Sequence, residues 1–208
     1  MSQVIAAVST GHQVSAIGIL RLSGEGCAQV AERVFTLSCG KPLSEAPNRK
    51  LMLGTLTDRQ GRIIDQCMAV YTRGPHSYTG EDTVEIQCHG SPAVLAAGLE
   101  ALYANGARPA RRGEFTKRAF LNGPLQLTQA EAVIDLIEAE TADAAANAAG
   151  QVGGMLQKKL SPIYDRLTDL CSHFHAVRDY PDEDIQDFHL ESYAADLRSD
   201  AKALYALP

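Results

Sequence analysis

Glu85 lies in the run Thr83-Val84-Glu85-Ile86-Gln87-Cys88, where polar and apolar residues alternate with a period of two. On a strand that period places Val84, Ile86 and Cys88 on one face and Thr83, Glu85 and Gln87 on the other. The segment before it, Pro75-His76-Ser77-Tyr78-Thr79-Gly80-Glu81-Asp82, is a loop punctuated by Pro75 and Gly80 and closed by two adjacent acids. A carboxylate between two hydrogen-bonding side chains, on a rigid strand behind a glycine turn, presents a fixed acceptor to a ligand. An ordinary half-exposed strand with a solvated Glu has the same pattern. Arg21 is the second position of interest, because Ile17-Gly18-Ile19-Leu20-Arg21-Leu22 is otherwise an apolar strand. A guanidinium there must pair or reach solvent. It either forms an ion pair with a nearby acid or acts as a planar, bidentate clamp for an anion or ligand carboxylate.

Other candidates are weaker. Arg108, Arg111, Arg112, Lys117 and Arg118 form the densest basic cluster, opposed only by Glu114. Such a cluster meets phosphates or a polyanionic tail, or is simply a solvated face. His173 and His175 stand two apart on a predicted helix, so they cannot aim at one ion. His89 beside Gly90 is a candidate general base by residue type, but no Ser or Cys nucleophile constellation accompanies it, and no catalytic residue is assigned. Cys88 falls on the apolar strand face, as a buried thiol would. The phosphate-binding pattern GxxxxGK[ST] is absent, so these residues alone are not expected to hydrolyse nucleotides.

The elements that must position Arg21 and Glu85 occupy the chain up to Asn122-Gly123-Pro124. Strands are predicted over Val4–Val8 and Ala16–Leu22, then a helix capped by Ser23 with Val30, Ala31, Val34 and Phe35 on its apolar face and Gly40 after its end. Leu51–Thr57 and Ile63–Thr72 flank the turn Asp58-Arg59-Gln60-Gly61 as a hairpin. Ser91-Pro92 starts a helix that reaches about Asn105-Gly106, and a further helix covers Glu114–Leu121. This first part, residues 1–122, is therefore α+β. From 123 to 208 the pattern is helical: Thr128-Gln129-Ala130-Glu131 reads as a capping box, with Ala130, Val133, Ile134, Ile137 and Ala144 as one apolar stripe. Gly150, Gly153 and Gly154 break it, a second helix covers Leu156–Val177 until Pro181, and a last one spans Leu190–Leu204. The end at Ala206-Leu207-Pro208, straight after a helix, is expected of an interrupted protein.

The 208 residues are 45% hydrophobic and 21% charged, enough for one or two domains. A net charge of −6 argues against a stand-alone nucleic-acid binder, though not against a local basic patch. No apolar run approaches the ~20 residues of a membrane span, and the start MSQVIAAVSTGHQ is unlike a signal peptide. The five cysteines are scattered with no CxxC, so neither a metal site nor a disulfide framework is expected, and reduced thiols in a cytoplasmic protein are the default.

Five ordered blocks resemble the tRNA-modification GTPase MnmE (TrmE) family: Ile17–Gly24, Gly74–Gly90, Arg112–Asn122, Leu127–Glu138 and Asp179–Ile185. Any one would be a weak signal, whereas five in the family's order are specific. The resemblance implies an N-terminal folate-binding, homodimerising domain with an aminomethyltransferase-like fold, followed by the first part of a helical domain. It implies that a GTPase domain, with GTP, Mg and K, is inserted beyond these residues, and that a cysteine near the family's C-terminus also lies outside them. With the flavoprotein MnmG, the family places a carboxymethylaminomethyl-type group on C5 of the tRNA wobble uridine, drawing a carbon from a 5-formyl- or methylene-tetrahydrofolate. Ligand contacts of the family fall on Arg21 and Glu85. Pro124 replaces a Lys of many members, Gln126 an Asp, and Thr10-Gly11-His12-Gln13 a Pro-Pro-Gly loop, so folate is expected to bind more weakly or in a different arrangement. The alternatives are an independent folate-dependent aminomethyl or formyl transferase, and a dimerisation scaffold without ligand. A half-present helical domain would also expose a large apolar patch that includes Leu156, Leu160, Ile163 and Leu167, or drive extra oligomerisation there.

Overall fold

A computed structural model of the chain describes residues 3–11, 13–180 and 189–207. These form two compact units, Met1–Ala130 and Glu131–Pro208, each a fold in its own right. His12 and residues 181–188, and with them most of the block Asp179–Ile185 and the helix stop at Pro181, lie outside the described residues.

The first unit is a mixed α/β structure built on seven strands: β1 Ile5–Val8, β2 Ser15–Ser23, β3 Phe35–Leu37, β4 Leu51–Thr57, β5 Ile63–Thr72, β6 Thr83–Gly90 and β7 Arg108–Pro109. Their spatial order is β3-β4-β5-β6-β2-β1-β7, antiparallel throughout except for β1 and β7. Its helices are α1 Cys27–Glu32, α2 Pro92–Ala104 and α3 Glu114–Leu121. Leu20, Leu22, Val84, Ile86, Ala69 and Leu56 form one buried sheet face, joined in the same core by Leu95 and Leu102 of α2. The helix comes close because Gly98 lacks a side chain: a Cβ there would lie 2.5 Å from Leu20 Cδ1. Alternation holds along β6, where Val84, Ile86 and Cys88 are buried and Glu85 and Gln87 are half-buried.

Three expectations for this unit are corrected. The helix after β2 starts at Cys27, not after Ser23, because Ser23 is still strand and its Oγ bonds Thr79 Oγ1 at 2.7 Å and Glu81 Oε2 at 2.9 Å. Val34 and Phe35 are not helical either: Phe35 opens β3 opposite Leu56, and sheet pairing prevails over the helical spacing. Thr83, placed on the outward face, is buried as well, together with Ser23 opposite it and Thr79 of the loop.

In the second unit the helices are α4 Leu127–Glu138, whose first residues precede the unit boundary, α5 Ala142–Val152, α6 Met155–Asp179 and α7 Leu190–Tyr205. Thr128 is not the cap of α4 but lies in its first turn; the Gln126 N–H donates to Gln129 Oε1 at 2.9 Å, two residues earlier than the predicted box. The stripe from Ala130 to Ala144 belongs to two helices, since Thr141 caps α5 by accepting from the Ala144 N–H at 3.1 Å. Arg166 of α6 clasps the buried carboxylate of Asp200 in α7. Of the residues expected in an exposed apolar patch, Ile163 is buried and Leu156, Leu160 and Leu167 are half-buried. The exposed apolar side chains include instead Ile134, Ile137, Met155, Tyr164, Leu190 and Tyr205. No described helix is long and apolar enough to cross a membrane.

Candidate ligand-binding site

Arg21 on β2 and Glu85 on β6 are register partners, so the antiparallel ladder brings the two flagged residues side by side. Arg21 Nε donates to Glu85 Oε1 at 2.8 Å, and both side chains are 29% exposed. Among the described residues, neither terminal nitrogen of Arg21 nor Oε2 of Glu85 has a hydrogen-bond partner within the chain. The pair thus orients itself through one bond and leaves two NH₂ groups and one carboxylate oxygen for a ligand.

Two rings flank it. The guanidinium carbon lies 5.7 Å from the ring centroid of Tyr78 and 5.8 Å from that of Phe115, within cation–π range. Tyr78 comes from the loop before β6 and Phe115 from α3, and the Tyr78 hydroxyl shares a 3.0 Å hydrogen bond with Thr116 Oγ1. The same strand row continues through Val70 to Leu51, and the next row carries Ile19, Gln87, Met68 and Leu53. The site therefore sits on an open, partly apolar sheet face with polar groups at one place and aromatic walls beside them. That composition suits a flat heteroaromatic ligand with N–H and carbonyl edges.

The loop that carries Tyr78 is held by the two adjacent acids. Asp82 accepts from Tyr71 Oη at 2.6 Å and from the Gly74 N–H at 2.9 Å, while Glu81 accepts from Ser23 Oγ at 2.9 Å and Arg118 Nη1 at 2.8 Å. Arg118 is buried and also donates to the carbonyls of Gln3, at 2.8 Å, and Ser23, at 3.3 Å. Arg108 grips Glu114 in a two-pronged pair. Two of the five clustered basic residues are therefore structural. Arg111, Arg112 and Lys117 remain exposed around a cleft of about 510 Å³.

Glu114 titrates as this arrangement requires. Its hydrogen bond from Arg108 comes first among the causes that lower its pKa from 4.5 to about 2, against the cost of burial. A depressed carboxylate pKa stabilises the fold above the unfolded value, and that stability disappears as the pH falls from 4.5 towards 2. With the side chain only 11% exposed, the contribution is on the order of 3 kcal/mol. Unfolding free energies measured across that interval should fall more steeply for the parent chain than for Glu114→Gln. Parallel slopes would refute the assignment.

The remaining candidates do not join the site. His89 lies about 13 Å along β6 from Glu85, at ~3.3 Å per residue, and its Nδ1 is 2.9 Å from Asp65 Oδ1. His173 pairs with the Tyr193 hydroxyl, with ring centroids 5.8 Å apart. Cys88 is buried, as its strand face requires. Tyr78 and Phe115 were not singled out from the sequence. The signal available was an aromatic residue next to a glycine turn and another at the start of a helix.

Known proteins resemble both parts of the chain. A family model described as the GTP-binding protein TrmE N-terminus matches residues 4–124, and one described as the MnmE helical domain matches residues 127–207. A tRNA modification GTPase MnmE of Clostridioides difficile is 42% identical over 208 residues, covering 99% of this chain and 45% of that protein. One of Thermus thermophilus is 43% identical over 203 residues, 97% of this chain and 46% of the relative, and one of Aquifex aeolicus is 43% identical over 185 residues, 89% and 40%. The chain thus spans a little under half the length of these relatives.

Proposed function

This chain belongs to the MnmE (TrmE) family of tRNA modification GTPases, and from that premise we propose that its first unit binds a one-carbon tetrahydrofolate at the Arg21–Glu85 pair. The observation that carries the reading is the half-exposed ion pair itself, with unpaired donors and an acceptor side by side between Tyr78 and Phe115. A carboxylate oxygen accepts from the N–H edge of a pterin, and the guanidinium nitrogens donate to a carbonyl or a carboxylate. The aromatic walls cover a flat ring, and the folate supplies the one-carbon unit. The fold would then correspond to that of folate-dependent aminomethyltransferases.

In the whole protein, this unit would serve GTP-dependent addition of a carboxymethylaminomethyl-type group to C5 of the tRNA wobble uridine, alongside the flavoprotein MnmG. GTP, Mg and K would act through a domain other than these residues. Homodimerisation is the second element of the reading, and it is favoured by the exposure of Leu51 and Leu53 on the same sheet face as the ion pair.

Calorimetric titration with 5-formyltetrahydrofolate tests the proposal. Saturable binding by the parent chain, lost in both Arg21→Ala and Glu85→Ala while circular dichroism is unchanged, is the expected result. A folded dimer without affinity would leave a scaffold, and turnover of a folate adduct by the chain alone would point to an independent transferase.

A further inference from the structure

Cys67 and Cys88 are separated by 21 positions in sequence, yet their thiols are neighbours. Met68 and Gln87 are register partners, so stepping one residue along each antiparallel strand sets Cys67 opposite Cys88. Both are on the buried side of the sheet, and their sulfurs lie 3.9 Å apart. Two sulfurs on one metal at a Zn–S length of ~2.3 Å subtend about 116° at that separation, close to a tetrahedral angle. A disulfide would require them to approach by about 1.9 Å.

A third ligand type is present. The carboxylate of Asp65, two residues before Cys67 on β5, lies with both sulfurs inside a sphere of contacts no longer than 4.8 Å. Its orientation is fixed from outside: Oδ2 accepts from the His89 N–H at 2.8 Å and Oδ1 is 2.9 Å from His89 Nδ1. Asp65 is only 10% exposed at its side chain, whereas His89 is 75% exposed, so the cluster is dry at the thiols and reaches solvent at its carboxylate end. That is the layout of a metal centre with a supporting outer shell and an entry path.

We propose that Asp65, Cys67 and Cys88 form a site for a thiophilic divalent cation of the zinc class, with His89 as the positioning residue that holds Asp65. Two thiolates select zinc over magnesium or calcium, which take oxygen ligands. Both thiol protons are released as the ion binds, and a solvent molecule completes four-coordination on the Asp65 side. The site is separate from the Arg21–Glu85 pair, since Cys67 and Cys88 lie on the opposite face of the same strands.

Cobalt(II) titration of the Cys39→Ser/Cys171→Ser background, which removes the two exposed thiols, provides the test. The expected result is one ion per chain with a thiolate-to-cobalt charge-transfer band, displaced by zinc. The band should vanish in Cys67→Ser and Cys88→Ser, and affinity should drop about 10–100-fold in His89→Ala. Zinc-edge X-ray absorption on the background protein needs no change at the site and should show two sulfurs at ~2.3 Å. No band, a band that survives loss of Cys67, fewer than two sulfurs per zinc, or a Cys67–Cys88 disulfide found by mass spectrometry would overturn the proposal.

Discussion

Arg118→Ala should lower the unfolding free energy by about 3–5 kcal/mol, the range for breaking a buried ion pair from one side. Its guanidinium is 11% exposed and holds Glu81, Glu114 at 3.5 Å, and the carbonyls of Gln3 and Ser23. Alanine would remove the cation beside Glu81, while Glu114 keeps Arg108, and would take away the donor to the two carbonyls. Arg118→Lys should fall between the two, because a single ammonium cannot reach groups that the planar fork spans. Urea denaturation followed by circular dichroism gives the comparison. A loss below about 1 kcal/mol would mean that the network behaves as an exposed surface pair.

Gly80→Ala is the second large effect, and it connects stability to ligand binding. Gly80 has a φ of 72°, and a Cβ there would lie 2.8 Å from Asn122 Cβ and 3.2 Å from Pro124. The left-handed backbone costs an ordinary residue ~1–2 kcal/mol, and crowding adds a cost of similar size. Asn122 also donates to the Thr79 carbonyl at 2.7 Å, so the loop cannot simply swing away. Tyr78 lies two residues before the substitution and moves with the loop. The variant should lose about 2–4 kcal/mol of stability and bind 5-formyltetrahydrofolate at least ~10-fold more weakly, a change of about 1.4 kcal/mol. Parent-like unfolding and titration curves would show that the turn is not held against residues 122–124. The contact also gives Pro124 a role: its ring stands beside the loop at Gly80.

Much of the first unit was legible because its strands alternate cleanly and its turns carry Gly and Pro. Leu51–Thr57, Ile63–Thr72 and Glu114–Leu121 have the bounds their patterns predict. Arg21 and Glu85 were found separately, each as a charge out of place on a strand, but their pairing is a fact of register, which no local pattern contains. The same limitation hid the cross-strand cysteines, since CxxC spacing detects ligands on one turn and not ligands on neighbouring strands. Phe35 was misread because Val30, Ala31, Val34 and Phe35 fit a helix until Leu56 offers β3 a partner. Tyr78 and Phe115 escaped because a single exposed or half-buried aromatic residue carries no periodic signal.

The sheet ends in a three-residue strand, β3, on one side and a two-residue strand, β7, on the other. Short borders of this kind offer few free amide and carbonyl groups for a foreign strand to extend. The fold is thereby shielded against runaway polymerisation through its rim, while one broad side stays accessible. β7 guards β1 through only two register pairs, and the anchor behind it is the grip of Arg108 on Glu114. Protonating Glu114 removes the charge that Arg108 grips, so acid loosens the two-residue strand that covers the outer edge of β1.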